Sequence, residues 1–141
     1  MTLNQFVTKR TGVPLGHKDS MKNMLSRSLG ASSFYLFWRY WNPIWGYYLS
    51  KKVMKPMNQL FPLWFAFLMT FAISGALHDV AVSLVKFELV FFFTPWFFVM
   101  GMIAFTTKQF DINYKKAPWF IKSILNALTI VGSFGLTQWF L

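Results

Sequence analysis

The sequence predicts an all-α membrane protein with about three transmembrane helices, preceded by amphipathic and interfacial helices. Hydrophobic residues make up 55% of the 141 positions and aromatic residues 21%, against 13% charged residues. This is more apolar material than the core of a soluble domain of the same length holds. The length is that of one ordinary domain. We therefore expect a single membrane domain over residues 1–141, with a basic, aromatic arm at 1–61 and transmembrane helices at 62–141.

Three apolar segments in the second part of the chain are long enough to cross roughly 30 Å of hydrocarbon as helices. They run from Leu63 to Val85, from Leu89 to Thr107 and from Trp119 to Leu141. The third contains Gly132 and Gly135, which would allow another helix to approach closely.

The arm is predicted to contain a short amphipathic helix that lies on the membrane. Asp19 or Ser20 is suited to cap its beginning, and Gly30 is suited to end it. Met24 and Leu25 share one face, together with Met21 and Ser28. We expect this face to dip into the acyl boundary while basic residues reach lipid phosphates.

The next segment, residues 34–49, holds nine aromatic residues among sixteen. It is too short and too amphipathic for a transmembrane helix, and Trp and Tyr favour the headgroup level. The Asn42-Pro43 pair is a common helix start. The pattern predicts two interfacial or half-buried helices that are broken at this pair.

Charge is distributed unevenly along the chain, which carries a net charge of +10. Residues 1–61 hold nine basic side chains and one acid, and the 108–118 loop is also basic. Positive charge beside apolar spans indicates an integral, multi-pass membrane protein whose N-terminus and 108–118 loop are cytoplasmic. No nucleic-acid recognition motif accompanies the charge, and no apolar leader occurs in the first thirty residues. We expect membrane lipid, and not nucleic acid, as a partner.

Composition also limits the chemistry. The chain contains no cysteine, which excludes disulfides, thiolate nucleophiles and Cys-ligated zinc. Two histidines and four carboxylates leave little material for a metal site, so we predict no metal and no cofactor.

His78 and Asp79 are the ionisable residues inside a predicted span. Such groups cost about 2.5–3.5 kcal/mol to insert even on lenient scales, so they usually face protein or a cavity. Ser74 lies one turn before His78 and Gly75 adjoins Ser74, so small residues line the histidine's face. The alternative role for His78 is a hydrogen bond that holds helices together. Asp79 lies about 100° further round the helix, and we expect it to pair with a basic residue or to lie near the interface.

Two other polar residues have more than one interpretation. Asn42 either caps the helix that begins at Pro43 or projects its amide into a cavity to hold a carbonyl oxygen or a hydroxyl. His17, in a polar turn of the arm, is expected to be solvated.

Two segments together resemble the membrane-bound O-acyltransferase superfamily, in particular its sterol and diacylglycerol acyltransferase branch. The first is Phe37-Trp38-Arg39-Tyr40-Trp41-Asn42, and the second ends in Ser74-Gly75-Ala76-Leu77-His78-Asp79. The likeness covers about residues 34–85. The chain resembles a truncated C-terminal catalytic portion of a member of this superfamily.

The resemblance implies transfer of an acyl group from an acyl thioester such as acyl-CoA to a hydroxyl. His78 would be the general base and Asn42 its polar partner. The substrate-binding residues would be Trp38, Trp41, Ser74, Lys51 and Lys52, the lysines attracting the donor's phosphates together with Lys55. Asn42 and His78 should then share one cavity.

A second interpretation follows from the length of the chain. Members of the superfamily usually have eight or more spans around a reaction chamber, so this chain would need copies of itself or a second membrane subunit to complete the walls. The alternative is a non-catalytic membrane subunit that binds lipid or scaffolds a larger synthase.

Overall fold

A computed structural model describes residues 1–141 and contains helices and no strands, which confirms the all-α class. It has eight α-helices and one π-helical segment: α1 (Leu3–Thr11), α2 (Ser20–Leu29), α3 (Phe34–Tyr40), α4 (Pro43–Leu49), the π-helical segment (Ser50–Met54), α5 (Lys55–Leu60), α6 (Leu63–Lys86), α7 (Phe93–Gln109) and α8 (Trp119–Phe140). Two of them, α6 and α8, are long and apolar enough to cross a membrane.

The second predicted span is shorter than expected. Instead of beginning at Leu89, α7 begins at Phe93 and has 17 residues, a rise of roughly 25 Å. Phe87 ends α6 in the left-handed region at φ 55°. The hydroxyl of Ser83 accepts the backbone N–H of Val90 over 2.9 Å. These features keep residues 87–92 out of helical conformation, which composition alone does not indicate.

α6 and α7 pack closely because glycines remove side chains from the contact. A Cβ on Gly75 would collide with the carbonyl group of Phe93, and one on Gly101 would lie 2.8 Å from the Cβ of Phe71. By contrast, a Cβ on Gly132 or Gly135 would meet open space. The predicted close approach of a helix at the α8 glycines does not occur within this chain.

The aromatic segment supplies much of the buried core. It breaks between Tyr40 and Pro43, as predicted. Phe34 and Phe37 are each 2% exposed and pack with residues of α6 and α7. The first half of the segment is therefore a half-buried helix, as one of the two predicted alternatives had it, because one face of α3 meets the α6–α7 pair.

The helix that begins at Pro43 continues to Leu60 through a π-helical turn. Pro56 has no backbone N–H, and its ring crowds the preceding turn of a regular helix. The chain responds by widening the turn before the proline, where the N–H of Lys55 donates to the carbonyl of Ser50. The widened turn faces α6.

The basic arm contains one helix, α1, beyond those predicted. α1 begins with a capping box in which the Gln5 N–H donates to the Thr2 hydroxyl over 3.2 Å and the Gln5 side chain accepts the Thr2 N–H over 2.9 Å. A Thr followed three residues later by Gln is the sequence pattern that indicates it.

The predicted amphipathic helix forms as α2, but its orientation differs from the expectation. Met24 is buried against the protein, and its Sδ accepts the backbone N–H of Asn42 over 3.2 Å. Met24 therefore does not reach the acyl boundary, although Met21 and Leu25 stay exposed. Asp19 precedes the helix without a capping hydrogen bond from its side chain.

A buried amide helps to attach α8 to the arm. Asn126 is 0% exposed, and its Nδ2 donates to the carbonyls of Leu29 over 2.9 Å and Ala31 over 3.0 Å. Its Oδ1 accepts the hydroxyl of Tyr114. Burial raises the pKa of the Tyr114 phenol to about 12. Asn126 thereby satisfies carbonyl groups at the end of α2 that lack partners within that helix.

Candidate functional site

A cavity of about 470 Å³ lies where α1, α3 and α4 meet α6. Most of its lining is hydrophobic. Five predicted site residues line it: Trp38, Trp41, Asn42, Ser74 and His78. The structure therefore brings the aromatic segment and the middle of α6 to one place, although 36 residues separate Asn42 from His78.

His78 is held in one tautomer. Its Nδ1 lies 2.6 Å from the carbonyl oxygen of Ser74. A carbonyl oxygen only accepts hydrogen bonds, so Nδ1 carries the proton and Nε2 of the neutral ring keeps a free lone pair. Nε2 makes no hydrogen bond within the protein. The imidazole is therefore oriented as a proton acceptor.

Aromatic rings surround the imidazole of His78. The Phe97 and Phe93 ring centroids lie 4.8 Å and 5.8 Å from it, and the Trp45 ring stands edge-on at 6.3 Å. These rings restrict the orientation of the imidazole and give it largely apolar surroundings.

Asn42 caps α4 and borders the cavity at the same time. Its backbone lies in the left-handed region at φ 45°, and its Oδ1 accepts the backbone N–H of Trp45 over 3.3 Å. This is the capping geometry, and because Asn42 also lines the cavity, the two predicted alternatives do not exclude each other. The two N–H groups of the amide make no hydrogen bond within the protein and remain donors.

Trp45 connects Asn42 to the histidine and was not among the predicted site residues. Its backbone is held by Asn42, and its indole N–H donates to the Ser74 hydroxyl over 3.0 Å. The backbone carbonyl of Ser74 in turn accepts the hydrogen bond from Nδ1 of His78. Asn42 and His78 do not bond directly. The position of Trp45, three residues after a capping Asn, places it on the first turn of α4, but only the packing of α4 on α6 shows its partner.

Asp79 has a structural role that differs from the predicted ion pair. Its Oδ1 accepts the backbone N–H groups of Phe92 and Phe93, over 2.9 Å and 2.8 Å. Its Oδ2 accepts the N–H and the hydroxyl of Thr94, over 2.8 Å and 2.7 Å. A carboxylate at a helix N-terminus satisfies free N–H groups and complements the helix dipole. Asp79 thus anchors α7 and does not pair with His78 or with a basic residue.

The basic residues at the cavity are not those predicted. Lys51 and Lys52 are exposed and do not line it, because Ser50 and Met54 occupy the inward positions of the π-helical segment. Arg10 and Arg39 line it instead. Burial, and then the nearby charge of Arg39, lowers the pKa of Arg10. The arginines were missed because their convergence depends on α1 packing beside α3.

Trp38 adds a second unsatisfied donor to the cavity lining. Its indole N–H is buried and has no hydrogen-bond partner, while its ring stacks edge-on against Phe71 at 5.4 Å. A buried N–H without a partner costs free energy unless a ligand or water accepts its hydrogen bond.

His17 lies outside the cavity. Its side chain is 38% exposed and lies 3.9 Å from the carboxylate of Asp19, so the expected solvated turn is present. The structure brings no group of three His, Asp or Glu side chains together that would hold a metal ion.

Comparison with models of protein families, with curated proteins and with solved structures found no match to this chain.

Proposed function

We propose that this chain is an integral membrane O-acyltransferase that moves an acyl group from an acyl thioester to a hydroxyl acceptor. The observation that carries the proposal is the state of His78. Its Nδ1 is committed to the Ser74 carbonyl, and its Nε2 is unpaired in a mostly hydrophobic cavity large enough for a reactant. A neutral imidazole with a free Nε2 is the group that general-base catalysis of a hydroxyl requires at neutral pH.

The reaction uses the cavity's donors and its base together. The acceptor oxygen attacks the thioester carbonyl carbon while its proton passes to Nε2 of His78. The carbonyl oxygen becomes an oxyanion, for which the free amide N–H groups of Asn42 and the indole N–H of Trp38 are the available donors. The C–S bond then breaks, and the proton on His78 passes to the leaving thiolate. The products are an ester and a free thiol.

Insertion in a membrane is part of the proposal. α6 and α8 have the length and composition of transmembrane helices, and the aromatic cavity suits an acyl chain. The basic arm and the 108–118 loop lie on the same side of the molecule, since the Tyr114 N–H donates to the Ser32 carbonyl over 2.9 Å. We propose that this side is cytoplasmic, in accord with its positive charge.

The test is transfer of a labelled acyl group in membranes that contain the chain. Labelled acyl-CoA is supplied with hydroxyl-bearing lipids, and wild type is compared with His78→Ala and with the matched control His17→Ala. We expect wild type and His17→Ala to form product, and His78→Ala to lose about 10²–10⁴-fold in rate. An acylated product formed equally by wild type and His78→Ala, or by neither, would refute the enzyme.

A non-catalytic membrane subunit is the second candidate. One observation favours it: the α8 surface around Gly132 and Gly135 is open, and Leu128 and Val131 beside it are 60% and 64% exposed. In this role His78 would serve only as a hydrogen-bond donor. Its Nδ1 bonds to Ser74 within α6, so the expected bond between two helices is not present in this chain. A glutamine supplies a comparable donor but no base. Full function of His78→Gln in an assembled complex would support the subunit, whereas lost function with unchanged assembly would support the enzyme.

A further inference from the structure

Two arginines from different helices face the cavity without a counter-ion. Arg10 comes from the last turn of α1, and Arg39 from the last turn of α3. Both line the cavity, and neither forms an ion pair. The chain has only four carboxylates. Of these, Asp79 is bonded to the start of α7 and Asp19 lies beside His17.

Arg10 is held in place by its surroundings. Its guanidinium carbon lies 4.7 Å from the Phe6 ring centroid, a cation–π distance. The Nη1 of Arg27 donates to the backbone carbonyl of Arg10 over 2.9 Å, which secures the end of α1. The Nε–H of Arg10 is buried and has no hydrogen-bond partner. The side chain therefore presents unused donors in a fixed position instead of extending into solvent.

Two adjacent positive charges, one of them partly buried, are unfavourable without an anion. Burial and the charge of Arg39 both lower the pKa of Arg10, which expresses this cost. An anion between the guanidinium groups offsets the repulsion. Planar guanidinium groups match the oxygens of phosphate by paired hydrogen bonds, which a lysine cannot reproduce.

We propose that Arg10 and Arg39 form a binding site for a phosphate group, and that the apolar part of the same ligand occupies the aromatic cavity. The lining supports an amphipathic ligand because the arginines stand at one part of a mostly hydrophobic wall. Such a phosphate belongs either to a lipid headgroup or to a soluble carrier of acyl groups. The proposal concerns binding and does not depend on acyl transfer.

The test is a binding titration with the full chain in a phosphate-free maltoside detergent. The indoles of Trp38, Trp41 and Trp45 line the cavity, so tryptophan fluorescence reports its occupancy. Three probes are titrated: a short-chain phosphatidic acid, coenzyme A, and a diacylglycerol of the same chain length. We expect saturable binding of a phosphate-bearing probe and none of the diacylglycerol over the same range. The tighter of the two phosphate probes identifies the source.

Single variants test the assignment to the two arginines. Arg10→Gln and Arg39→Gln should each lower the affinity for the phosphate probe about tenfold or more. Lys9→Gln removes the same charge from an exposed position next to Arg10 and should change affinity by less than about twofold. Arg39 is exposed, so its variant tests the site even where Arg10→Gln fails to fold.

Two outcomes would overturn the proposal: no saturable binding of either phosphate probe, or an equal loss in Lys9→Gln, which would indicate diffuse surface charge. Because the titration involves no turnover, a chain that binds phosphate but transfers no acyl group would refute only the proposed function.

Discussion

The indole N–H of Trp45 donates a hydrogen bond of 3.0 Å to the hydroxyl of Ser74. Through this bond the helix capped by Asn42 is attached to the turn of α6 that holds His78. Asn42 and His78 therefore keep a common position across the cavity although their own side chains do not touch.

Because either substitution alone removes this bond, the double variant should be less destabilised than the sum of the two single variants, by about 1 kcal/mol. We expect a double-mutant cycle of Trp45→Phe and Ser74→Ala, measured by chemical unfolding in detergent, to show a coupling of this size. Trp64→Phe, at a residue that is 52% exposed, is the control and should show no coupling with Ser74→Ala. A coupling of zero for Trp45 would mean that the bond does not form in solution.

Asp79 should contribute strongly to stability. Asp79→Asn retains one oxygen but turns an amide N–H₂ toward N–H groups that now need an acceptor, so we expect a loss of about 2–4 kcal/mol in the free energy of unfolding. Asp111→Asn makes the same change at an exposed position and should stay within about 0.5 kcal/mol of wild type. Hydrogen exchange at residues 92–96 should rise only in the Asp79 variant. Equal stabilities of the two variants would contradict the anchoring role.

Substitution by alanine should have opposite effects on stability at two glycines. Gly75→Ala places a methyl group against the backbone of α7 and should destabilise by about 1–3 kcal/mol. Gly132→Ala meets open space and should stabilise by up to about 1 kcal/mol through higher helix propensity. Thermal unfolding of the two variants provides the comparison. A stabilised Gly75 variant would show that α6 and α7 are not in close contact.

Stability should fall at alkaline pH because the buried phenol of Tyr114 ionises. Its pKa is raised from 10.0 to about 12 by burial, so the neutral phenol is the form favoured by the fold. The resulting stabilisation is fully present below the unfolded pKa and is lost as pH rises through the interval from 10.0 to about 12. The free energy of unfolding, measured across this pH interval, should decline more steeply in wild type than in Tyr114→Phe. Parallel curves would contradict the raised pKa.

Membrane topology can be tested by labelling single introduced cysteines. The chain has no cysteine of its own that would give background labelling. We expect Lys51→Cys and Lys115→Cys to be labelled by an impermeant maleimide from one side of sealed vesicles, and Glu88→Cys from the other. This pattern follows if α6 crosses the bilayer and α7 returns to the side of the arm. Labelling of all three from the same side would exclude this arrangement.

The sequence alone determined the features that depend on neighbouring residues. The bounds of α6 and α8 follow from mostly apolar composition over more than 18 positions, and the break between α3 and α4 follows from Asn42-Pro43. His78 was identifiable because an ionisable residue inside an apolar helix is costly wherever that helix lies.

Only the tertiary structure decided the features that join distant segments. The start of α7 depends on the carboxylate of Asp79, which lies 13 to 15 residues upstream of the N–H groups it accepts. The contact of Trp45 with Ser74 depends on the packing of α4 on α6, and the cavity's cations depend on where α1 meets α3. Sequence patterns express backbone geometry over a few turns, whereas these contacts follow from how helices pack. The arm therefore could be predicted as basic, but which of its charges face the cavity, Arg10 and Arg39 rather than Lys51 and Lys52, was set by packing.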